Sequence, residues 1–112
     1  MGSDLKQKSC IPCEGGVDPL KGEKLSPYSL FIHEDWSIVE EHHMLREFKF
    51  GDFREALNFT NRVGEIANQE GHHPDILLSY GKAVVTIWTH AIDGISENDF
   101  ILAAKIDAIQ SS

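Results

Sequence analysis

The chain has 112 residues and a formal net charge of -8, with ten Lys and Arg against eighteen Asp and Glu. This length fits a single domain, and an acidic chain without a basic stripe is not expected to bind nucleic acid directly. No apolar run approaches the ~20 residues that a membrane-spanning helix needs. The N-terminus lacks the pattern of a secretory signal, so we expect a cytoplasmic protein.

The first 20 residues are predicted to form an irregular arm, followed by a single domain at residues 21–112. The arm is rich in Gly, Pro and Lys and has neither a helical nor a strand period. The only two cysteines, Cys10 and Cys13, lie in this arm as a C-x-x-C pair. We interpret them as two reduced thiols in a turn, while half of a zinc site and a redox pair remain open alternatives.

The first half of the domain is predicted to contain a short helix and a β-hairpin. Apolar residues within 20–33 suggest the helix, with Pro27 in its first turn because proline has no amide hydrogen to donate. Residues 36–40 and 44–50 alternate between apolar and polar side chains, which favours two paired strands.

A longer helix is predicted over residues 52–68. Asp52 can cap it, and Glu55, three residues later, can reach back in a capping-box arrangement. Phe59 and Ile66 fall outside the predicted buried stripe, which suggests a wide core contact or a subunit interface. The stripe itself consists of apolar and small residues at helical spacing, namely Phe53, Ala56, Leu57, Thr60, Val63, Gly64 and Ala67.

The second half of the domain is predicted to repeat the pattern. Residues 76–80 and 83–90, separated by a turn at Gly81, are rich in β-branched side chains and predict a second hairpin. A last helix is expected from a cap at residues 96–99 to about Ile109. The order α-β-β-α-β-β-α predicts an α+β domain with a four-stranded antiparallel sheet and three helices packed on one face.

Six histidines are the candidate functional residues. We interpret His33, His42 and His43 as solvated surface, because they lie at a helix end and a hairpin turn among acidic residues. The remaining three are His72, His73 and His90.

Those three histidines are predicted to lie close together. His72 and His73 stand at a helix-to-strand junction, and Pro74 restricts the backbone directly after them. An antiparallel hairpin turning at Gly81 brings His90, at the end of its second strand, towards them. The group could shuttle protons, hold a zinc ion with an open fourth position, or be polar surface. The residues alone leave all three interpretations open.

One family resemblance narrows these alternatives. The pattern H-H-P, five residues, Tyr80, nine residues, His90, eight residues, Asp99 resembles the signature of the pterin-4a-carbinolamine dehydratases. The arm segment C-I-P-C-E-G-G-V-D-P-L, Trp36 and the segment T-H-A-I-D-G-I-S-E-N-D-F are also similar to this family. The resemblance covers roughly residues 10–110.

The resemblance implies a hydro-lyase, 4a-hydroxytetrahydrobiopterin dehydratase. Such an enzyme removes water from 4a-hydroxytetrahydropterin to give quinonoid dihydropterin, which returns the pterin to the tetrahydrobiopterin cycle after an aromatic amino acid hydroxylase has used it. The reaction needs an acid for the leaving hydroxyl and a base for a ring-nitrogen proton. Imidazole can serve as both, so no metal or organic cofactor is expected.

The resemblance also implies site residues. The family pattern makes His72, His73 and His90 catalytic, with His73 and His90 assigned to proton transfer around the hydroxyl and His72 to acid/base work or binding. Four further residues would bind substrate: Trp36 as a wall of the pterin site, Pro74 as a shaping residue, Glu70 and Asp99.

Two positions depart from the family pattern. Family members often have acidic residues four positions before the first histidine and directly before it, where this chain has Asn68 and Gly71. This departure leaves the carboxylate partner of the histidines open, with Glu70 as an alternative.

The resemblance implies partners as well as a substrate. A homodimer or homotetramer is expected. Some family members also act as transcriptional coactivators through the helix that joins their own dimers, so the alternative function is a protein-binding module that uses helix 52–68.

Overall fold

The computed structural model describes residues 5–10 and 18–110, and its α+β architecture confirms the predicted order. None of the helices in these ranges is both long and apolar enough to span a membrane. Short 3-10 turns also occur at Leu5–Gln7, Gly22–Lys24 and His90–Ile92. The regular elements are α1 (Ser26–Ser29), β1 (Ser37–Val39), β2 (His43–Lys49), α2 (Phe53–Glu70), β3 (Asp75–Ser79), β4 (Lys82–Ile87) and α3 (Glu97–Gln110).

The two predicted hairpins join into one antiparallel sheet with the strand order β1-β2-β4-β3. The central pair is β2 and β4, in a register that places Met44 opposite Ile87 and Lys49 opposite Lys82. Because side chains alternate between the two faces of a strand, β2 and β4 bury one face of the sheet beneath the helices. The side chains on this face include Met44, Phe48, Val85 and Ile87, each at most 2% exposed.

The predicted cap of α2 is present. The Asp52 carboxylate accepts a hydrogen bond from the amide of Glu55 at 2.9 Å, and the Glu55 carboxylate accepts one from the amide of Gly51 at 3.1 Å. At its other end, α2 stops at Gly71, which adopts the left-handed conformation with a φ of 66°. Glycine adopts this conformation without the steric penalty that a side chain would introduce.

The predicted buried stripe of α2 was partly wrong. Phe59, assigned to the flank, is 5% exposed and packs against Phe48 and Phe50, with ring centroids 4.5 and 5.2 Å away. Phe53 and Leu57, assigned to the core, are 42% and 37% exposed. The face that is buried consists of positions spaced three and four residues apart, which lie on one side of a helix: Ala56, Phe59, Val63 and Ala67.

Two predicted elements are shorter than expected. Helix α1 occupies only Ser26–Ser29, and Pro27 lies in its first turn, where a proline prevents the helix from extending further towards the N-terminus. Strand β4 ends at Ile87 rather than at His90. Neither neighbouring strand extends beyond this point, because β2 begins at His43 and β3 at Asp75. Thr89 instead forms a bridge with Gly94.

Part of the N-terminal arm packs on the domain. Leu5 is 3% exposed and belongs to the core cluster, and the Lys8 ammonium pairs with Glu97 at the start of α3. Cys13 lies outside the described residues, so the interpretation of the C-x-x-C pair is not addressed by the structure. The division into an arm at 1–20 and a domain at 21–112 stays a prediction.

Candidate active site

A cavity of about 230 Å³ lies where the α2–β3 junction, the end of β4 and the start of α3 meet. It is slightly smaller than the ~300–1,000 Å³ of common ligand pockets, so it suits a small molecule. His72, His73 and His90 all line it, as predicted from the hairpin geometry. Among the residues that the structure describes, the lining consists of Gly71, His72, His73, Trp88, Thr89, His90, Ala91 and Asn98.

His72 and His73 are positioned by the end of α2 before them and the start of β3 after them. The left-handed Gly71 turns the backbone out of α2, and the amide of His72 then donates to the carbonyl of Ala67 at 3.2 Å. Pro74 follows and favours an extended backbone at His73, after which β3 begins. The junction is therefore fixed on both sides of the histidine pair.

His72 is held by a buried carboxylate. Its Nε2 lies 2.5 Å from Oδ1 of Asp99, whose side chain is fully buried. The other oxygen, Oδ2, accepts hydrogen bonds from the Thr89 hydroxyl and the Ser96 amide, each at 2.8 Å. Because an ionised carboxylate only accepts, His72 donates from Nε2, and the neutral ring keeps Nδ1 as an acceptor. Asp99 thus holds the ring of His72 from behind the cavity wall, and its role in substrate binding remains a prediction.

His73 has a different kind of partner. Its Nε2 lies 3.0 Å from the side-chain oxygen of Asn68, so the ring donates to a neutral amide and also keeps Nδ1 as an acceptor. Asn68 is one of the two positions that depart from the family pattern. The histidine pair therefore has one carboxylate partner, Asp99, and one amide partner, Asn68.

Glu70 does not face the histidines. Its Oε1 accepts from the amide of Cys10 at 2.8 Å, and its Oε2 lies 3.5 Å from the Lys105 ammonium. It is not among the residues that line the cavity, and a role for Glu70 in substrate binding remains a prediction.

Cys10 lies close to this site. Its Sγ is 3.6 Å from the carbonyl oxygen of Asn98, a residue of the cavity wall. Burial raises the pKa of the Cys10 thiol to about 12, with further contributions from the negative charges of Glu70 and Asp99. The thiol is therefore neutral near pH 7.

Trp36 and Pro74, both predicted to contact the pterin, are not among the lining residues of the cavity. Trp36 is 7% exposed, donates from its indole nitrogen to Asp107 at 2.8 Å, and packs edge-on against Phe48. Trp88 lines the cavity, and substrate-binding roles for Trp36 and Pro74 remain predictions. The sequence offered no signal for Trp88 beyond its place in a strand directly before Thr89 and His90.

His33 is exposed as predicted, whereas His42 and His43 are less exposed than their interpretation as solvated surface implies. Both rings are partly buried, with centroids 5.5 and 6.1 Å from that of Trp88. These contacts are not local. His42 lies in the β1–β2 turn and His43 begins β2, whereas Trp88 directly follows β4 and is 45 residues after His43. In the part of the chain that the structure describes, no three His, Cys, Asp or Glu side chains form a group that could hold a metal ion.

Fold and cavity together define an α+β domain with three imidazoles at one small site, two of them fixed in orientation by side-chain acceptors. The family model described as pterin 4 alpha carbinolamine dehydratase matches residues 18–109. A protein of Alkaliphilus metalliredigens assigned as a pterin-4-alpha-carbinolamine dehydratase is 50% identical over 97% of this chain and 98% of its own. One of Rubrobacter xylanophilus with the same assignment is 51% identical over 96% and 99%.

The chain therefore belongs to the pterin-4-alpha-carbinolamine dehydratase family, whose members are hydro-lyases. A solved structure from Brucella melitensis, described as a transcriptional coactivator/pterin dehydratase, has a TM-score of 0.75 at 29% identity and covers 82% of this chain and 98% of its own. A pterin dehydratase-like RuBisCO assembly factor of the alpha-carboxysome has a TM-score of 0.61 at 21% identity, over 71% and 94%. This second likeness concerns the fold alone.

Proposed function

We propose that this protein dehydrates 4a-hydroxytetrahydropterin to quinonoid dihydropterin by acid/base catalysis from His72, His73 and His90. The observation that carries the proposal is the convergence of these three rings on one small cavity. Membership of the family indicates the class of reaction, and the three imidazoles of the cavity are groups that can act as its acid and base.

The reaction moves two protons and breaks one bond. An acid protonates the 4a-hydroxyl, the bond between carbon 4a and oxygen breaks with its electron pair leaving on water, and a base removes the proton from the adjacent ring nitrogen so that a C=N bond forms. Histidine suits both tasks near neutral pH. We assign His73 and His90 to proton transfer around the hydroxyl. His72, held by Asp99, serves in acid/base work or in binding the substrate.

The biological setting is also part of the proposal. The substrate would come from a pterin-dependent aromatic amino acid hydroxylase, and the product would re-enter the tetrahydrobiopterin cycle in the cytoplasm. We expect a homodimer or homotetramer. Exposed Phe53 and Leu57 on α2 support this expectation, because large apolar side chains on one helix face are common at subunit contacts.

A direct rate measurement tests the proposal. A 4a-hydroxytetrahydropterin is generated in situ, and its dehydration is followed by absorbance with and without the protein, in the presence and absence of EDTA. The proposal predicts acceleration that survives EDTA. A folded protein that leaves the spontaneous rate unchanged would contradict it.

The second candidate function is protein binding through helix 52–68. The likeness to the Brucella melitensis protein, which is described as a coactivator as well as a dehydratase, and the exposure of Phe53 and Leu57 favour this candidate. Replacing Leu57 by Glu tests the surface, because a charge there would oppose any apolar contact. If α2 binds a second copy of the chain, Leu57→Glu should lower the mass of the oligomer. If α2 binds another protein, the substitution should abolish that binding. In both cases the dehydration rate per chain should be unchanged.

A further inference from the structure

Trp88 is the largest side chain in the cavity wall, and the sequence pattern assigned it no role. It directly follows β4, is partly buried, and has its ring centroid 4.3 Å from that of His90 at an interplanar angle of 53°. The chain has two tryptophans, and the other, Trp36, is bound to Asp107 away from this wall. One indole therefore borders the proposed substrate site.

Two further rings lie beside Trp88, His42 in the β1–β2 turn and His43 at the start of β2. The His42 Nδ1 lies 3.1 Å from Nδ1 of His43, and the His42 Nε2 lies 2.7 Å from Oδ1 of Asp93. The Asp93 carboxylate only accepts, so His42 donates from Nε2. A neutral His42 then accepts at Nδ1 from the N–H of His43, and one chain of hydrogen bonds orients both rings beside Trp88.

Asp93 connects these two rings to the segment that carries His90. It ends the 3-10 turn that begins at His90, and its backbone is left-handed with a φ of 52°. The contact between His42 and Asp93 therefore ties the β1–β2 turn to that 3-10 turn. The ring of Trp88 therefore has neighbours on both segments, His42 and His43 on one and His90 on the other.

We propose that Trp88 is the aromatic surface on which the flat pyrimidinone half of the pterin stacks, and that His42 and Asp93 are positioning residues that hold this surface. This inference rests on the proposed function of the cavity and adds a binding residue to those predicted from the sequence. Stacking buries the apolar faces of the heterocycle, as it does when nucleobases bind aromatic side chains. The polar ring edges remain available to the histidines.

The two tryptophans make a fluorescence test with a matched control. The probe is 7,8-dihydrobiopterin, added to full-length proteins carrying either Trp36→Phe or Trp88→Phe, with folding checked by circular dichroism. In Trp36→Phe all indole emission comes from Trp88, and saturable quenching is expected. In Trp88→Phe the emission comes from Trp36, and weaker saturable quenching, by energy transfer over a longer distance, is expected. Quenching in Trp88→Phe that equals or exceeds that in Trp36→Phe would overturn the inference.

Measurements of affinity and turnover distinguish a failure of this inference from a failure of the proposed function. Trp88→Ala should weaken dihydrobiopterin binding about tenfold by calorimetry and raise KM more than it lowers kcat, because stacking is present in both ground and transition states. His42→Ala should weaken binding about threefold, with recovery in His42→Gln, whose amide still donates to Asp93. If the unaltered protein binds the probe and Trp88→Ala binds it equally well, the inference alone fails. If the unaltered protein neither binds the probe nor accelerates dehydration, the proposed function fails with it.

Discussion

His72 Nε2 and Asp99 Oδ1 lie 2.5 Å apart, and the Asp99 side chain is fully buried between α3 and the bridge at Thr89. The carboxylate lies in the first turn of a helix and also orients the ring of His72. Its hydrogen bonds to Thr89 and Ser96 fix its own position first, so His72 is held by a group that cannot move freely. Such a partner restricts both the tautomer and the angle of a histidine.

The first prediction concerns this carboxylate. Asp99→Asn keeps the shape but replaces an acceptor oxygen by a donor, so His72 or the Ser96 amide loses its partner. We expect kcat/KM to fall about 100-fold and the free energy of unfolding to fall by about 1–3 kcal/mol. Steady-state kinetics and urea unfolding measure the two effects.

Asp107→Asn is the matched control for Asp99→Asn. Asp107 accepts from the Trp36 indole and pairs with Arg46 at 2.7 Å, and neither it nor those partners line the cavity. Loss of the charge should destabilise the fold by about 3 kcal/mol, since Arg46 is buried. Activity of the folded protein should be unchanged. Equal losses of activity in both variants would show that Asp99 acts only through stability.

The second prediction concerns Asn68. Its amide oxygen accepts from His73 Nε2 at 3.0 Å, so Asn68→Ala should free the ring and lower kcat/KM by about tenfold without changing stability measurably. Nitrogen NMR of the histidine rings should show a loss of the single Nε2–H tautomer at His73. Gln69→Ala, which removes the next amide along the helix, should change neither observable.

The third prediction concerns the thiol of Cys10. Burial raises its pKa from 9.0 to about 12. Because thiolate is the reactive form, alkylation of Cys10 by iodoacetamide at pH 8 should be much slower than in the unfolded chain. Mass spectrometry of a Cys13→Ser protein isolates Cys10, and equal rates for folded and unfolded protein would contradict its burial.

The same shift gives a pH dependence with a defined sign. Above pH 9 the unfolded chain loses the Cys10 proton while the folded chain keeps it, so raising the pH from about 9 towards 12 favours unfolding. Cys10→Ser should remove that contribution. As the pH rises through this window, the free energy of unfolding should therefore fall more for the original protein than for Cys10→Ser.

The fourth prediction concerns the N-terminal arm. Leu5 is 3% exposed in the core, so Leu5→Ala should lower the free energy of unfolding by about 2–3 kcal/mol. Leu30→Ala makes the same chemical change at a side chain that is 85% exposed and should cost less than about 0.5 kcal/mol. Equal effects from the two substitutions would show that residues 5–10 do not pack on the domain in solution.

The sequence predicted features that depend on local chemistry. The cap formed by Asp52 and Glu55, the turn at Gly81 and the convergence of His73 with His90 all follow from short-range pattern and hairpin connectivity. Each of these needs only a helix period, a strand period or a tight turn, which the residues themselves encode.

The sequence failed where distant segments determine the environment. Phe59 was placed outside the buried stripe, with a core contact or a subunit interface left open, because the width of the buried face of α2 depends on how Phe48 and Phe50 approach it. The contact between His42 and Asp93 was not predicted because the two residues are 51 apart along the chain. The pairing of β2 with β4, which joins the hairpins, was not specified by either hairpin alone.

Dehydration by the original protein and by three single-histidine variants is the measurement that tests the central claim most directly. His73→Ala and His90→Ala each remove a proposed proton-transfer group and should lower kcat/KM by about 100- to 10,000-fold while the fold is retained. His33→Ala, at an exposed histidine outside the cavity, should match the original protein. Unchanged rates in both cavity variants, with folding confirmed, would contradict the assignment of this cavity as the catalytic site.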